Sequence, residues 1–255
     1  MDTKYSMEDE GYGGYRNAIQ NSLNSRDITS FKSNPSYQGI LEHVDQPQGE
    51  QYYKLIQGEF HIPNERILAF CKMNDSSGNP TKYYIPGLDF RVSPTSLRYI
   101  FHALLILDHI RSLGLASVKI IEIGAGYGGL LLAISHFSSS FTISVEKYIC
   151  IDLTEAINLQ QVYTTQFDRG FPVEFVDAMT YGSPVNGDDF FLISNYCITE
   201  LVQRHRDSYM NTLLPKITHG FIAWNTIPVY DFGRPILKSV PERPNTGPNN
   251  MFVYF

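Results

Sequence analysis

From residue 93 onward the apolar positions fall into two alternating rhythms. Short runs rich in β-branched and aromatic residues predict buried strands at Lys119–Ile123, Tyr148–Asp152, Val173–Val176, Phe190–Asn195 and Gly220–Asn225. Between them, apolar residues at helical spacing predict helices over Gly128–Phe137, Glu155–Gln166 and Thr199–Leu214, the last closed by Pro215. A further helix is predicted ahead of the first strand. Ser93 stands at its N-cap and Pro94 at its first helical position, its apolar face runs from Leu97 to Ile110, and Gly114 ends it. Strands alternating with helices predict a doubly wound α/β sheet. The chain closes differently. Ile236–Val240 and Met251–Phe255 read as strands joined by the turn-rich stretch 241–248, with no room for a helix, so they should pair antiparallel.

Before residue 93 the pattern is weaker. Residues 1 to about 15 are polar and rich in Gly and Tyr, which predicts a mobile start or one ordered only by docking. The stretch to residue 92 is irregular, with short helical candidates at Gln51–Gln57 and Glu65–Lys72, a turn over Asn74–Pro80 and a strand candidate at Tyr83–Ile85. The expected organisation is an irregular, mainly helical N-terminal extension or cap, 1–92, followed by an α/β domain, 93–255.

The chemistry concentrates where the first strand enters its helix, in Glu122-Ile123-Gly124-Ala125-Gly126-Tyr127-Gly128-Gly129. A glycine-dense turn lets a ligand approach bare backbone, and the helix start behind it offers free N–H groups. Two cofactors can claim such a loop. Gly124, Gly126 and Gly129 satisfy the dinucleotide fingerprint, whereas Gly124, Gly126 and Gly128 behind Glu122 satisfy the acid-x-G-x-G-x-G pattern of S-adenosylmethionine (SAM) enzymes. Glu122 favours SAM, since a carboxylate there suits a methionine ammonium and repels a pyrophosphate. The terminal hairpin also favours SAM, because five parallel strands and a hairpin make the seven-stranded, Rossmann-like methyltransferase sheet. A nicotinamide-dependent oxidoreductase, which usually needs a second substrate domain, is the alternative.

Ligands of such sheets lie at the carboxyl ends of the strands. Asp152, with Leu153 after it, ends the second strand and can accept ribose hydroxyls. Asp177 and Ala178 end the third and can face adenine. Asn195 ends the fourth. Together with Glu122, Gly124, Ala125, Gly126 and Gly128 these are the expected cofactor contacts. Beyond the fourth strand runs Ser194-Asn195-Tyr196-Cys197-Ile198-Thr199-Glu200, where the transfer itself would take place. Glu200 is the first candidate base, read as a first-turn helical acid whose plainer role is capping. His102, one turn beyond Arg98, is the second candidate, and His205, read as part of a solvated charged face, is the third. Arg98, Tyr127, Tyr196 and Asn225 are candidate acceptor contacts, with Trp224 assigned to the core.

Composition narrows the alternatives. A net charge of −6 over 255 residues argues against a nucleic-acid surface, and no apolar stretch reaches membrane-spanning length. The N-terminus shows no signal-peptide core, and Cys71, Cys150 and Cys197 have no metal-ligand spacing, which together suggest reduced thiols in a cytoplasmic protein. No metal is expected, because Asn195 stands where Mg-assisted methyltransferases often place a carboxylate. The prolines of base-modifying methyltransferases are also missing after the fourth strand.

Four blocks in order give the chain a more specific likeness. Residues 93–99, the loop 122–129, Ile151-Asp152-Leu153 with Leu159, Gln160 and Tyr163, and Ser194-Asn195-Tyr196…Glu200-Leu201 resemble the sugar O-methyltransferase family of class I SAM-dependent methyltransferases. The resemblance covers about residues 74–255, departs at Cys197 and Ile198, and leaves the first seventy or so residues unmatched. It implies methyl transfer from SAM to a sugar hydroxyl, free, nucleotide-linked or in a glycan. A phenolic O-methyltransferase and a non-catalytic binding module are the remaining alternatives.

Overall fold

The computed structural model describes residues 12–225 and 228–255. The polar start at residues 1–11 lies outside the described residues. Among the described residues four helices precede the sheet domain: α1 (Gly13–Asn24), α2 (Pro35–Leu41), α3 (Gln46–Leu55, run on by a π-turn Ile56–Phe60) and α4 (Asn64–Asn74). A two-residue pair, β1 (Tyr83–Tyr84) with β2 (Arg91–Val92), leads into the long α5 (Pro94–Ser112). The domain continues through β3 (Ser117–Ile123), α6 (Gly129–Phe137), β4 (Ser144–Asp152), α7 (Thr154–Thr164), β5 (Val173–Asp177) and β6 (Phe190–Asn195). It ends with α8 (Gln203–Thr212), β7 (Ile217–Trp224), β8 (Lys238–Pro241) and β9 (Met251–Tyr254).

The seven strands lie in the order β5-β4-β3-β6-β7-β9-β8. Pairing is parallel from β5 through β7, while β9 runs antiparallel to both β7 and β8. This is the expected doubly wound, seven-stranded sheet with its terminal antiparallel hairpin. The chain enters at β3, winds outward to β5, then returns to lay β6 on the other side of β3. The crevice between the ends of β3 and β6 is therefore the topological switch point. Side chains alternate between two cores with the period of a strand. Ile120, Tyr148, Cys150, Ile193 and Phe221 face the layer built on α5, α6 and α7, whereas Ile121, Ile149, Ile151, Leu192 and Trp224 face the layer containing Tyr209 and Leu213 at α8. Sixteen residues of α5 are buried, so this helix works as an internal spine.

Three local expectations change. Ser93 takes the N-cap position of α5, yet its hydroxyl makes no capping bond and donates instead to Glu42 Oε2 at 3.3 Å. The helix read as starting at Thr199 begins at Gln203, so residues 199–202 form a turn that carries Glu200 outside the helix. The stretch read as irregular contains α1 and α2. The first buries only Tyr15, Ala18 and Ile19, too few to print a strong helical period, while the second is held by Asn34, whose side chain caps Ser36 N. These helices join the same core as α5 and α6, and no helix among the described residues is long and apolar enough to cross a membrane.

Candidate active site

The ends of β3, β4, β6 and β7 open into one cavity of about 580 Å³, roofed by α1, the end of α2 and the hairpin loop 246–250. A larger groove of about 700 Å³ between the end of α5 and β8 contains neither the glycine loop nor a parallel-strand end. The chemistry therefore goes with the smaller cavity.

The glycine loop is bound tightly on both sides. Gly124 has φ +80, and a Cβ there would lie 2.4 Å from Cys197 Cβ. At Gly126, φ +61, a Cβ would lie 2.9 Å from Leu41 Cδ1. Only glycine meets both the conformation and the space. Asp152 holds this turn from β4: Oδ2 accepts from Gly126 N at 3.0 Å and from Gln160 Nε2 at 2.9 Å, and Oδ1 accepts from Leu153 N at 2.8 Å. Burial nevertheless pushes the Asp152 carboxyl up to about 6. Glu122, at the floor, accepts the Tyr148 hydroxyl on Oε2 at 2.7 Å, and burial pushes its carboxyl up to about 8.

Beside the glycine loop the chain leaves β6 through Tyr196, in the left-handed conformation at φ 57. Ser194 secures that exit: its hydroxyl donates to Ile123 O at 3.1 Å and accepts from Ile198 N at 3.0 Å. Asn195 faces His102, with Nδ2 3.1 Å from the imidazole Nδ1. Burial, reinforced by the charge of Arg98, pushes His102 down to about 3, so the ring is neutral at any working pH. Arg98 itself donates to Leu41 O at 2.8 Å and lies 3.5 Å from His43 Nε2. The Tyr196 hydroxyl donates to Glu242, whose carboxylate also accepts from Thr246 N at 2.7 Å and Asn250 Nδ2 at 2.9 Å. That carboxylate ties the hairpin loop to the end of β6.

Glu200 lies in the turn after β6. Its Oε2 accepts from the Tyr12 hydroxyl at 2.8 Å and its Oε1 from Asn225 Nδ2, while Asn225 Oδ1 accepts from Thr199 Oγ1 at 2.5 Å. Burial raises the Glu200 carboxyl above its ordinary range, with the two donors acting against the rise. This corrects the sequence reading, in which a helix dipole holds the acid down.

Of the predicted cofactor residues, Glu122, Gly124, Ala125, Gly126, Asp152, Leu153, Ala178 and Asn195 border the cavity. So do Glu200, His102, Arg98, Tyr196 and Asn225 among the candidate catalytic and acceptor residues, and Trp224 lies in the core of the opposite layer. Tyr127 does not belong with them. Its ring is fully buried beneath the loop, edge-on to Tyr163 at 4.9 Å, and its hydroxyl accepts from Asn74 Nδ2 at 3.0 Å. Asp177 turns its carboxylate to Met179 N and the Thr154 hydroxyl, and Gly128 serves as the left-handed N-cap of α6. His205 is buried rather than solvated, with Nδ1 2.8 Å from the Tyr181 hydroxyl. Sequence reasoning missed Tyr12, Tyr15 and Leu41 of the N-terminal helices, His43 in the link between α2 and α3, and the loop 246–250. Only the Pro-Asn-Thr-Gly-Pro composition of that loop gave a local signal, and it marked a turn.

No protein-family model matches the chain, and no curated protein matches it. Among solved structures the chain is similar to a SAM-dependent methyltransferase from Aquifex aeolicus, at 16% identity over 59% of this chain and 90% of that one, with a TM-score of 0.42. A candidate RNA methyltransferase from Pyrococcus horikoshii is similar at 15% identity over 76% of this chain and 97% of that one, TM-score 0.44. The YcgJ protein of Bacillus subtilis is similar at 18% identity over 48% of this chain, TM-score 0.37, and the match spans 50% of that protein's length.

Proposed function

We propose that the chain is a SAM-dependent O-methyltransferase whose acceptor is a sugar hydroxyl, free, nucleotide-linked or within a glycan. The observation that carries this reading is that two chemistries share one cavity: a glycine loop with Glu122 and Asp152, and the Glu200 carboxylate on the turn packed beside it. The residues fit SAM better than a dinucleotide. A pyrophosphate needs free loop N–H groups, yet Gly126 N–H already donates to Asp152. The Asp152 carboxylate beside the loop would also repel it. Glu122 suits the ammonium of the methionine moiety, Asp152 the ribose, Ala178 the adenine side, and residues 1–92 act as the cap.

When bound, SAM supplies a sulfonium methyl for in-line displacement. The protein then has two tasks. It aligns the acceptor oxygen, for which Arg98, Tyr196 and the loop 246–250 form the surrounding wall, and it accepts a proton. The hydroxyl proton of the aligned acceptor would pass to Glu200. A carboxyl raised by burial is a better base than an exposed one. The polar character of this wall supports a polyhydroxylated acceptor. Three unpaired cysteines suit a reducing compartment, in keeping with a cytoplasmic enzyme, and a net charge of −6 speaks against a nucleic-acid acceptor.

Calorimetry with S-adenosylhomocysteine, followed by a screen of sugars, nucleotide sugars, glycans and phenols for its release from SAM, tests this reading. Binding that falls at least about tenfold in Asp152→Ala, with turnover confined to sugar hydroxyls, is the expected result. Turnover of phenols alone would reassign the acceptor, and stabilisation by NADH without any by SAM would reassign the cofactor.

A further inference from the structure

We propose that Tyr12 of the N-terminal helix is a positioning residue of the active site, holding the Glu200 carboxylate in place together with Asn225. The inference rests on the reading of Glu200 as the proton acceptor. Its basis is a contact between parts of the chain 188 residues apart: the Tyr12 phenol donates to Glu200 Oε2 at 2.8 Å while Asn225 Nδ2 donates to Oε1. Each carboxylate oxygen thus receives one neutral donor. Asn225 is fixed in turn by Thr199, so one side of the clamp belongs to the sheet and the other to the cap.

The cap side is anchored independently of this bond. Tyr15 stacks on Tyr37 at 5.2 Å with planes 26° apart, Ala18 and Ile19 are buried, and Arg16 pairs with Glu155 at 2.7 Å on the surface of α7. Tyr12 at the N-cap is therefore delivered to the cavity by a docked helix, and both it and Tyr15 border the space. The titratable groups around Glu200 are the Tyr12 phenol and the Cys197 thiol, with Asp152 beyond them. Burial pushes the phenol and the thiol well up, so both stay protonated, and among the described residues no cation acts on the carboxylate. Ionisation of Glu200 in a half-dry site then depends on its neutral donors. Two donors leave lone pairs for a third, which is the position an acceptor hydroxyl would take.

The test uses the full chain and needs no acceptor. Carboxyl carbon NMR of isotope-labelled protein, with the Glu200 signal assigned through Glu200→Gln, reads its titration directly. Tyr12→Phe keeps the ring and its packing and should raise the midpoint by about one pH unit. Gln20→Ala, on the exposed side of the same helix, should leave the midpoint where it is. Once an acceptor is in hand, the acid limb of the rate should shift by the same amount in Tyr12→Phe, with KM unchanged and kcat recovered at high pH. An unmoved Glu200 midpoint in Tyr12→Phe, or an equal shift in Gln20→Ala, would overturn the proposal. A shifted midpoint in a protein that methylates no acceptor would uphold the clamp and count against the methyl-transfer reading alone.

Discussion

Tyr148 donates its hydroxyl to Glu122 Oε2 at 2.7 Å, on neighbouring central strands and with both side chains buried. The bond offsets only part of the cost of placing a carboxyl there, since burial, with a smaller push from Asp152, leaves Glu122 at about 8. Glu122 is thus protonated in the folded protein at pH values where the unfolded chain has already ionised it.

That difference sets a pH dependence. Between about 4.5 and about 8 the folded state binds more protons than the unfolded one, so this group makes stability fall as pH rises through that window. Glu122→Gln removes the titration and keeps an acceptor for Tyr148. Its Tm should exceed that of the unaltered protein, by more at pH 8.5 than at pH 5, while S-adenosylhomocysteine affinity drops about tenfold or further. Thermal melts at the two pH values check the first part and calorimetry the second. A Tm difference that ignores pH would contradict the burial argument.

Gly124→Ala tests the loop by shape alone. The new Cβ would meet Cys197 Cβ at 2.4 Å in a backbone with φ +80. Strain and overlap together should cost about 2–4 kcal/mol of stability and displace the turn after β6. Denaturant unfolding and S-adenosylhomocysteine calorimetry should both show the loss. Wild-type affinity in a stable variant would mean that the cofactor does not use this turn.

The strand ends were legible for a physical reason. A strand alternates sides every residue and stops at a turn, so the pattern alone puts Glu122, Asp152, Asn195 and Asn225 at one edge of the sheet. Direction within a loop has no such rule. Tyr127 sits between two glycines of the ligand turn and points away from the ligand, under the loop, against Asn74 and Tyr163. Glu200 was found by position but assigned the wrong setting, because Ile198 and Leu201 turn back into the core and the helix waits for Gln203. Tyr12 had no readable signal, since what gives it meaning is a partner 188 residues away.

Lys32 ties the cap to the underside of the loop. Its ammonium is fully buried, donates to Asn74 O at 2.6 Å and to the Tyr163 hydroxyl at 3.0 Å, and stands 4.1 Å from the Tyr127 ring centroid. Burial pushes Lys32 down to about 8 and raises Glu42 and Asp75, the acids that balance it. Lys32→Met leaves Glu42 with only the weaker pull of Arg98 and Asp75 with only that of Lys82, and stability at pH 7 should fall by about 3 kcal/mol. The deficit should shrink toward pH 5 as both acids take up protons. Unfolding curves across that range would show it, and a deficit that grows on acidification would refute the assignment of Glu42 and Asp75 as the partners.

His102 and Glu200 border one cavity and can be told apart by acid. Burial and the Arg98 charge hold His102 at about 3, against 6.5 in the unfolded chain. The unfolded state therefore binds the extra proton below 6.5, and stability is lost as pH falls from there toward 3. His102→Gln removes this term, so its Tm should decline less between pH 7 and pH 4.5 than that of the unaltered protein. A neutral imidazole with so low a pKa contributes no limb to a rate profile near neutrality. Any acid limb found there should survive in His102→Gln and disappear, with most of the turnover, in Glu200→Gln. The reverse outcome would transfer proton acceptance to the imidazole and leave Glu200 as a structural acid of the turn.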